Sequence, residues 1–222
     1  MKSFHCYTLI AAAAAVTLGT LAVPASAEDG ADYEITVTGL WTADRFPVEY
    51  PKAGLLTGPH FSGIIGATHN GAFDLFKVGT QPTPGLERLS EEGKHSPLDG
   101  EIKAAIAAAK AGALFESDPI KDFAKTAMTR VHVTGMYHDV SAVAMIAPSP
   151  DWFAGVSGVD LMEGGKFVAE KTVELYAYDS GGDDGDTYAA SDKDNSPKKA
   201  TATASAKHFA GKPVGRVTFR RI

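Results

Sequence analysis

The residues best suited to chemistry in this sequence are three aspartates in two acidic turns. The first turn, Pro148–Phe153, contains Asp151, and the second, Tyr178–Gly185, contains Asp179 and Asp183. Carboxylates placed close together repel one another unless a cation lies between them. Calcium takes about six to eight oxygen ligands, which carboxylates and glycine-rich backbone supply well. The pattern therefore predicts a calcium site with Asp151, Asp179 and Asp183 as candidate ligands.

Two strand-like segments explain how the turns could meet. Segments 153–161 and 166–178 are rich in strand-forming residues and are joined by a glycine turn at 163–165. In an antiparallel hairpin, the start of the first strand and the end of the second lie at the same end. We therefore expect Asp151 and Asp179 to be neighbours.

The remaining acidic residues of this region have different expected roles. Asp183 can return towards the site because the glycines at 181–182 permit positive φ. Asp160 should lie at the far end of the hairpin and serve a structural role. Asp184 and Asp186 are spare acids that either tune the affinity for the ion or are simply solvated.

Other segments predict the scaffold around these turns. Tyr33–Trp41 alternates apolar and polar residues as a half-buried strand does, and Val214–Ile222 does the same. Val140–Ala147 is continuously apolar and is expected to be a central strand buried on both faces. These segments predict an all-β fold, an antiparallel β-sandwich of about eight strands with short helical insertions.

Two helices and one loop complete the predicted organisation. Pro84–Gly93 is expected to be a short helix ended by its glycine, and Asp99–Gly112 a second helix capped by Asp99 and closed by Gly112. Residues 183–206 contain few large apolar side chains and are expected to form a long solvated loop.

The N-terminal segment has the pattern of an export signal. A lysine at position 2, an apolar run over 9–23 and an Ala-Ser-Ala end at 25–27 predict a signal peptide over residues 1–27 and one domain over 28–222. The chain is therefore expected to be secreted or periplasmic, with no transmembrane segment. The single cysteine, Cys6, lies inside the signal, so a disulfide cannot stabilise the domain. The net charge of -6 argues against a nucleic-acid partner.

Motifs across the chain resemble the spondin N-terminal (F-spondin) domain family. The resemblance includes Trp41, Phe46-Pro47 and the His60–Asn70 segment, and it is most specific at Ala147–Leu161 and Asp179–Gly185. It implies a calcium-binding β-sandwich of extracellular matrix and adhesion proteins, with Asp151, Asp179 and Asp183 as the calcium ligands.

This sequence departs from the family pattern around the second turn. Tyr178 stands where the family usually has tryptophan, Ser180 where it has alanine, and Gly182 where it has threonine. None of these differences removes a carboxylate. The expected protein is an exported, non-enzymatic calcium binder whose ion stabilises loops at one end of the sandwich, with an extracellular protein or glycan as a further ligand.

The sequence also suggests alternative functions. The first is a calcium-dependent glycan or lipid binder. Asp179-Ser180-Gly181 matches the core of an aspartic protease, but such enzymes need two copies of it. His60 and His69 could suggest zinc, yet nine residues span about 30 Å in an extended strand, so they cannot share one ion unless the segment folds back.

Overall fold

A computed structural model describes residues 29–52, 58–120 and 126–222. The predicted signal peptide lies outside the described residues. The strands are β1 (Gly30–Gly39), β2 (His60–Phe61), β3 (Ile65–His69), β4 (Ala111–Glu116), β5 (Thr126–Thr134), β6 (Asp139–Ala147), β7 (Trp152–Asp160), β8 (Met162–Glu163), β9 (Lys166–Phe167), β10 (Glu170–Asp179), β11 (Ala202–Thr203) and β12 (Gly215–Arg221). The helices are α1 (Pro84–Glu92), α2 (Leu98–Ala107) and α3 (Ala206–Phe209).

Eight strands form one antiparallel sheet in the order β4-β3-β6-β7-β10-β12-β1-β5. The sheet curls until its terminal strands β4 and β5 contact each other, which gives a nearly closed, barrel-like sandwich. Strand β11 pairs with β10, strand β2 pairs with β6, and β8 and β9 form a small separate hairpin. The predicted fold class is confirmed.

The alternation of the sequence places the strands as expected. In β1, Tyr33, Ile35 and Val37 are buried and alternate with less buried neighbours. Every residue of Val140–Ala147 in β6 is buried, because β6 lies in the middle of the sheet with the helices outside it. Burial on both faces accounts for its unbroken apolar run.

Two apolar cores lie on opposite faces of the sheet. The first fills the interior of the barrel and includes Trp41, Trp152 and Phe219. The second lies between the outer face and the helices, where Leu86 and Leu89 of α1 pack near Phe153 of β7. Helix α1 is thereby fixed against the strand that follows Asp151.

The first helix follows the prediction, while the second differs from it. Thr83 caps α1 by accepting a hydrogen bond from the Leu86 amide at 3.1 Å, and Gly93 ends the helix with φ of 66°. Helix α2 begins at Leu98 without a side-chain cap, so the prediction that Asp99 caps it was wrong. Asp99 instead pairs with Lys103 one turn later, at 2.7 Å.

The predicted end of α2 at Gly112 was also wrong. The helix ends at Ala107, and Ala109 has φ of 55°, which turns the chain into β4. The alanine-rich run has a high helix propensity, but β4 buries Phe115 in the core. Tertiary burial therefore decides the structure after Ala109.

The loop after β10 is irregular and most of its residues are exposed, as predicted, but a few of its side chains are buried against the sandwich. Tyr188 is buried against Trp41 and Trp152, with ring centroids 5.5 and 5.2 Å apart. Asn195 and Thr201 are buried as well. Backbone hydrogen bonds also cross the loop, from the Asp184 amide to the Lys193 carbonyl at 2.9 Å and from the Asn195 amide to the Gly182 carbonyl at 2.8 Å. None of the helices in the described ranges is long and apolar enough to cross a membrane.

Candidate metal centre

The pairing of β7 with β10 brings the two acidic turns together. The strands are antiparallel, with Phe153 opposite Tyr178 and Trp152 opposite Asp179. Asp151 immediately precedes Trp152, so it lies beside Asp179 as the hairpin argument predicted. The connection between the strands contains the small β8–β9 hairpin, whose turn has φ of 58° at Gly164 and 76° at Gly165.

Asp151 is fully buried, with an exposed fraction of 0%. Its Oδ2 accepts hydrogen bonds from the Ser180 hydroxyl at 2.9 Å and from the amides of Gly181, Gly182 and Asp183 at 2.9, 2.8 and 3.1 Å. Its Oδ1 is also buried and has no hydrogen-bond partner among the described residues. One oxygen of this carboxylate is therefore saturated with donors, while the other lacks one.

Burial and mutual repulsion make it unfavourable for Asp151 and Asp179 to be charged at the same time. Burial raises the pKa of Asp151, although the amides of Asp183 and Gly182 and the hydroxyl of Ser180 oppose that effect. Burial, together with the charge on Asp151, raises the pKa of Asp179 to about 6. The Gly181 amide, the Trp152 side chain and the charge on Lys199 act in the opposite direction.

Asp183 lies next to this pair but directs its carboxylate elsewhere. Its exposed fraction is 4%. Its Oδ1 accepts from the Gly185 amide at 2.6 Å, and its Oδ2 accepts from the Lys193 amide. Asn195 donates to the Asp183 carbonyl at 2.8 Å. In this geometry Asp183 organises the loop and, through its own amide, holds Asp151.

Two groups of three acidic or histidine residues bring their ligand atoms within 4.8 Å of one another in the described part of the chain. They are His138 with Asp139 and Asp160, and Glu87 with Glu91 and Asp194. The predicted trio of Asp151, Asp179 and Asp183 is not such a group. The structure thus places the three predicted residues at one corner without gathering all three carboxylates.

Glu91 of α1 is a residue at this corner that the sequence reasoning missed. A Cβ atom added to Gly182 would lie 2.6 Å from Glu91 Oε1, and this oxygen is buried without a hydrogen-bond partner among the described residues. Burial, followed by the charge on Glu87, raises the pKa of Glu91 to about 7. The position of α1 depends on long-range packing, so no local signal pointed to Glu91.

The other predicted acids lie outside this pair. Asp184 is exposed and forms ion pairs with Lys193 at 2.9 Å and with Lys199. Hydrogen bonds from those two lysines lower the pKa of Asp184 to about 2. Asp186 is exposed. Asp160 lies at the opposite end of β7, where its Oδ1 is 2.8 Å from His138 Nδ1.

The two histidines considered for zinc occupy separate environments. His69 is buried, with Nε2 2.7 Å from the Ser141 hydroxyl and Nδ1 2.9 Å from the Asn70 carbonyl. His60 Nδ1 lies 2.8 Å from the Gly58 carbonyl. Hydrogen bonds within the protein account for the ring nitrogens of His69, and neither histidine is in the three-residue groups described above.

Comparison with known proteins identifies the family to which this chain belongs. A Spondin_N family model matches residues 31–212. The chain is 33% identical to spondin-2 of Homo sapiens over 74% of the chain and 50% of that protein, and 30% identical to spondin-2 of Rattus norvegicus over 86% and 62%. It is 29% identical to spondin-1 of Xenopus laevis over 76% of the chain and 21% of that protein. The chain thus spans from about a fifth to three fifths of these relatives. It belongs to the spondin N-terminal domain family.

Proposed function

We propose that the corner formed by β7, β10 and the following loop binds calcium through Asp151, Asp179 and Asp183. The observation that carries the proposal is the fully buried Asp151, whose Oδ1 has no hydrogen-bond partner among the described residues while its Oδ2 accepts four bonds. A buried charge is costly unless it is paired, and a cation next to Oδ1 and Asp179 would pair it.

The donor set suits calcium better than zinc or copper. Carboxylate oxygens are hard ligands, whereas thiolates and imidazoles select the softer metals. Asp183 remains in the proposed set, because an ionised carboxylate has about four lone-pair sites and its two amide bonds use only part of them. Backbone carbonyls and water would complete the coordination of the ion.

The ion would stabilise the loops at one end of the sandwich. Asp151 belongs to the β6–β7 turn, and the Asp151 carbonyl accepts a bond from the Ser180 amide at 3.2 Å. Asn195, further along the second loop, donates to the Gly181 carbonyl at 3.2 Å. A cation bound to both turns would add an ionic connection to these hydrogen bonds, in a domain without a disulfide.

We further propose that the protein acts outside the cytoplasm as a non-enzymatic binding domain. The signal pattern of residues 1–27 and membership of the spondin family support this location and role. An extracellular protein or glycan is the proposed class of partner.

Calorimetric titration of calcium tests the site. Asp151→Asn, Asp179→Asn and Asp183→Asn should each weaken binding strongly, because each loses a negative charge next to the ion. The exposed Asp186→Asn variant is the matched control and should change the affinity little. A double variant should lose little beyond the first single loss, since the ligands act as one unit. Wild-type protein that does not bind calcium would overturn the proposal.

A further inference from the structure

Two carboxylate oxygens in the described part of the chain are buried without a hydrogen-bond partner, Asp151 Oδ1 and Glu91 Oε1. Both side chains border the same glycine. The Gly182 amide donates to Asp151 Oδ2 at 2.8 Å, and a Cβ at position 182 would lie 2.6 Å from Glu91 Oε1. The side chains that carry the two unsatisfied oxygens therefore both border Gly182, although they come from different elements of the fold.

The nearby lysine forms its ion pairs with two neighbours of Glu91 and not with Glu91 itself. Lys198 Nζ lies 2.6 Å from Glu87 and 3.4 Å from Asp194, and it is 3.3 Å from the Gly182 carbonyl. Glu87 and Asp194 are the two acids grouped with Glu91, so Lys198 serves both of its neighbours. Among the described residues, Glu91 itself forms no ion pair.

The helix holds Glu91 at this position. Buried Leu86 and Leu89 anchor α1 against the sheet, and the αL conformation of Gly93 ends the helix two residues after Glu91. A side chain at the end of a fixed helix loses little further freedom when it binds an ion, so a ligand here is preorganised.

We propose that Glu91 is a further ligand of the cation bound at the Asp151 corner, so that the ion connects helix α1 to the loop after β10. The inference rests on the proposed calcium site. One divalent cation would satisfy the buried oxygens of both Glu91 and Asp151, which the protein groups around them leave without donors. The fully buried Asp151 side chain, with its unpartnered Oδ1, supports a ligand at this locality independently of the acidic group on α1.

The test is calcium titration of Glu91→Gln beside Glu92→Gln. Glutamine keeps the size of the side chain and removes its charge. Glu92 is the matched control because it is the next residue of the same helix, is exposed, and pairs with Arg88 and Lys94 away from Gly182. We expect the calcium dissociation constant to rise about tenfold or more for Glu91→Gln and to change less than about twofold for Glu92→Gln.

A chelated sample and a second variant keep the test decisive. Circular dichroism in chelator checks that Glu91→Gln is folded, and Glu91→Asp, which keeps the charge on a shorter side chain, replaces it if it is not. Glu91→Asp should weaken calcium binding less than Glu91→Gln does. If both Glu91 variants bind calcium as the wild type does while Asp151→Asn loses it, Glu91 is a buried neutral acid and only this inference fails. If the wild type binds no calcium, the proposed function fails with it.

Discussion

The two ends of β7 each carry an aspartate, and they differ in how its charge is compensated. Asp151 is buried beside a second carboxylate, and its Oδ1 has no hydrogen-bond partner among the described residues. Asp160 is exposed, its Oδ1 accepts from the Met162 amide at 2.7 Å, and His138 lies 2.8 Å away. Lys171 donates to the Asp160 carbonyl at 2.9 Å.

The pKa directions express the same difference. Partial burial acts to raise the pKa of Asp160, but the Met162 amide and His138 together hold it below its ordinary value. Burial leaves the pKa of Asp151 raised despite four donors. An aspartate that the protein already compensates has little need of a cation, whereas a buried aspartate that lacks compensation favours one. The comparison therefore favours a calcium site at the Asp151 end of the strand.

Replacing the aspartates should produce the largest difference between the two ends. In calcium, Asp151→Asn should lose about 3 kcal/mol or more of the free energy of unfolding, because ligand linkage supplies about 2.7 kcal/mol at a hundredfold excess of ion. The amides left with a weaker acceptor add to that loss. Asp160→Asn should lose about 0–1 kcal/mol, as exposed ion pairs do.

Thermal unfolding monitored by circular dichroism, with calcium and with chelator, measures both variants. Chelator should lower the midpoint of the wild type and of Asp160→Asn while changing that of Asp151→Asn little. If chelator changed the midpoints of Asp151→Asn and Asp160→Asn equally, the two ends of β7 would not differ in calcium binding.

Glycine replacements test the backbone at the two ends of the hairpin. Their expected effect is smaller than that of the aspartate replacements. Gly181 has φ of 88°, and its amide donates to both Asp151 and Asp179 at 2.9 Å. Gly164, in the opposite turn, has φ of 58°, and a methyl group added there would meet open space. Gly164→Ala should cost about 1–2 kcal/mol from the left-handed conformation alone.

Gly181→Ala should cost more than Gly164→Ala, because the new methyl group would also press on the Lys199 carbonyl. Overpacking of this kind adds about 1–3 kcal/mol. Urea unfolding gives both costs, and calcium titration should show weaker binding only for Gly181→Ala. If Gly181→Ala bound calcium with wild-type affinity, calcium binding would not depend on the backbone conformation at Gly181.

The smallest effect is expected from the histidine at the Asp160 end. His138→Gln should change the free energy of unfolding by about 0–1 kcal/mol, since the pair it removes is partly exposed. Its calcium dissociation constant should match that of the wild type. A clear loss of calcium affinity in this variant would show that the ion binds at the His138 end instead.

The sequence predicted the neighbourhood of Asp151 and Asp179 because strand alternation and antiparallel pairing are local rules. The same rules placed Asp160 at the opposite end. They could not place Glu91, since the docking of α1 depends on Leu86 and Leu89 meeting residues far along the chain.

The buried side chains of the loop after β10 also could not be predicted from local sequence rules. The composition of the loop correctly predicted that most of its residues are exposed, but only Tyr188 among many small polar residues signalled a buried aromatic contact. The direction of the Asp183 carboxylate depends on amides two and ten residues away. No pattern of residue types specifies that choice, so the ligand role of Asp183 stays a prediction.

A crystal structure of the protein grown in calcium, with the ion located by anomalous scattering, tests the central claim most directly. We predict one calcium ion bonded to Asp151 Oδ1 and to an oxygen of Asp179, and none between His138 and Asp160. A calcium ion at the His138 end, or an Asp151 corner without an ion at saturating calcium, would contradict it.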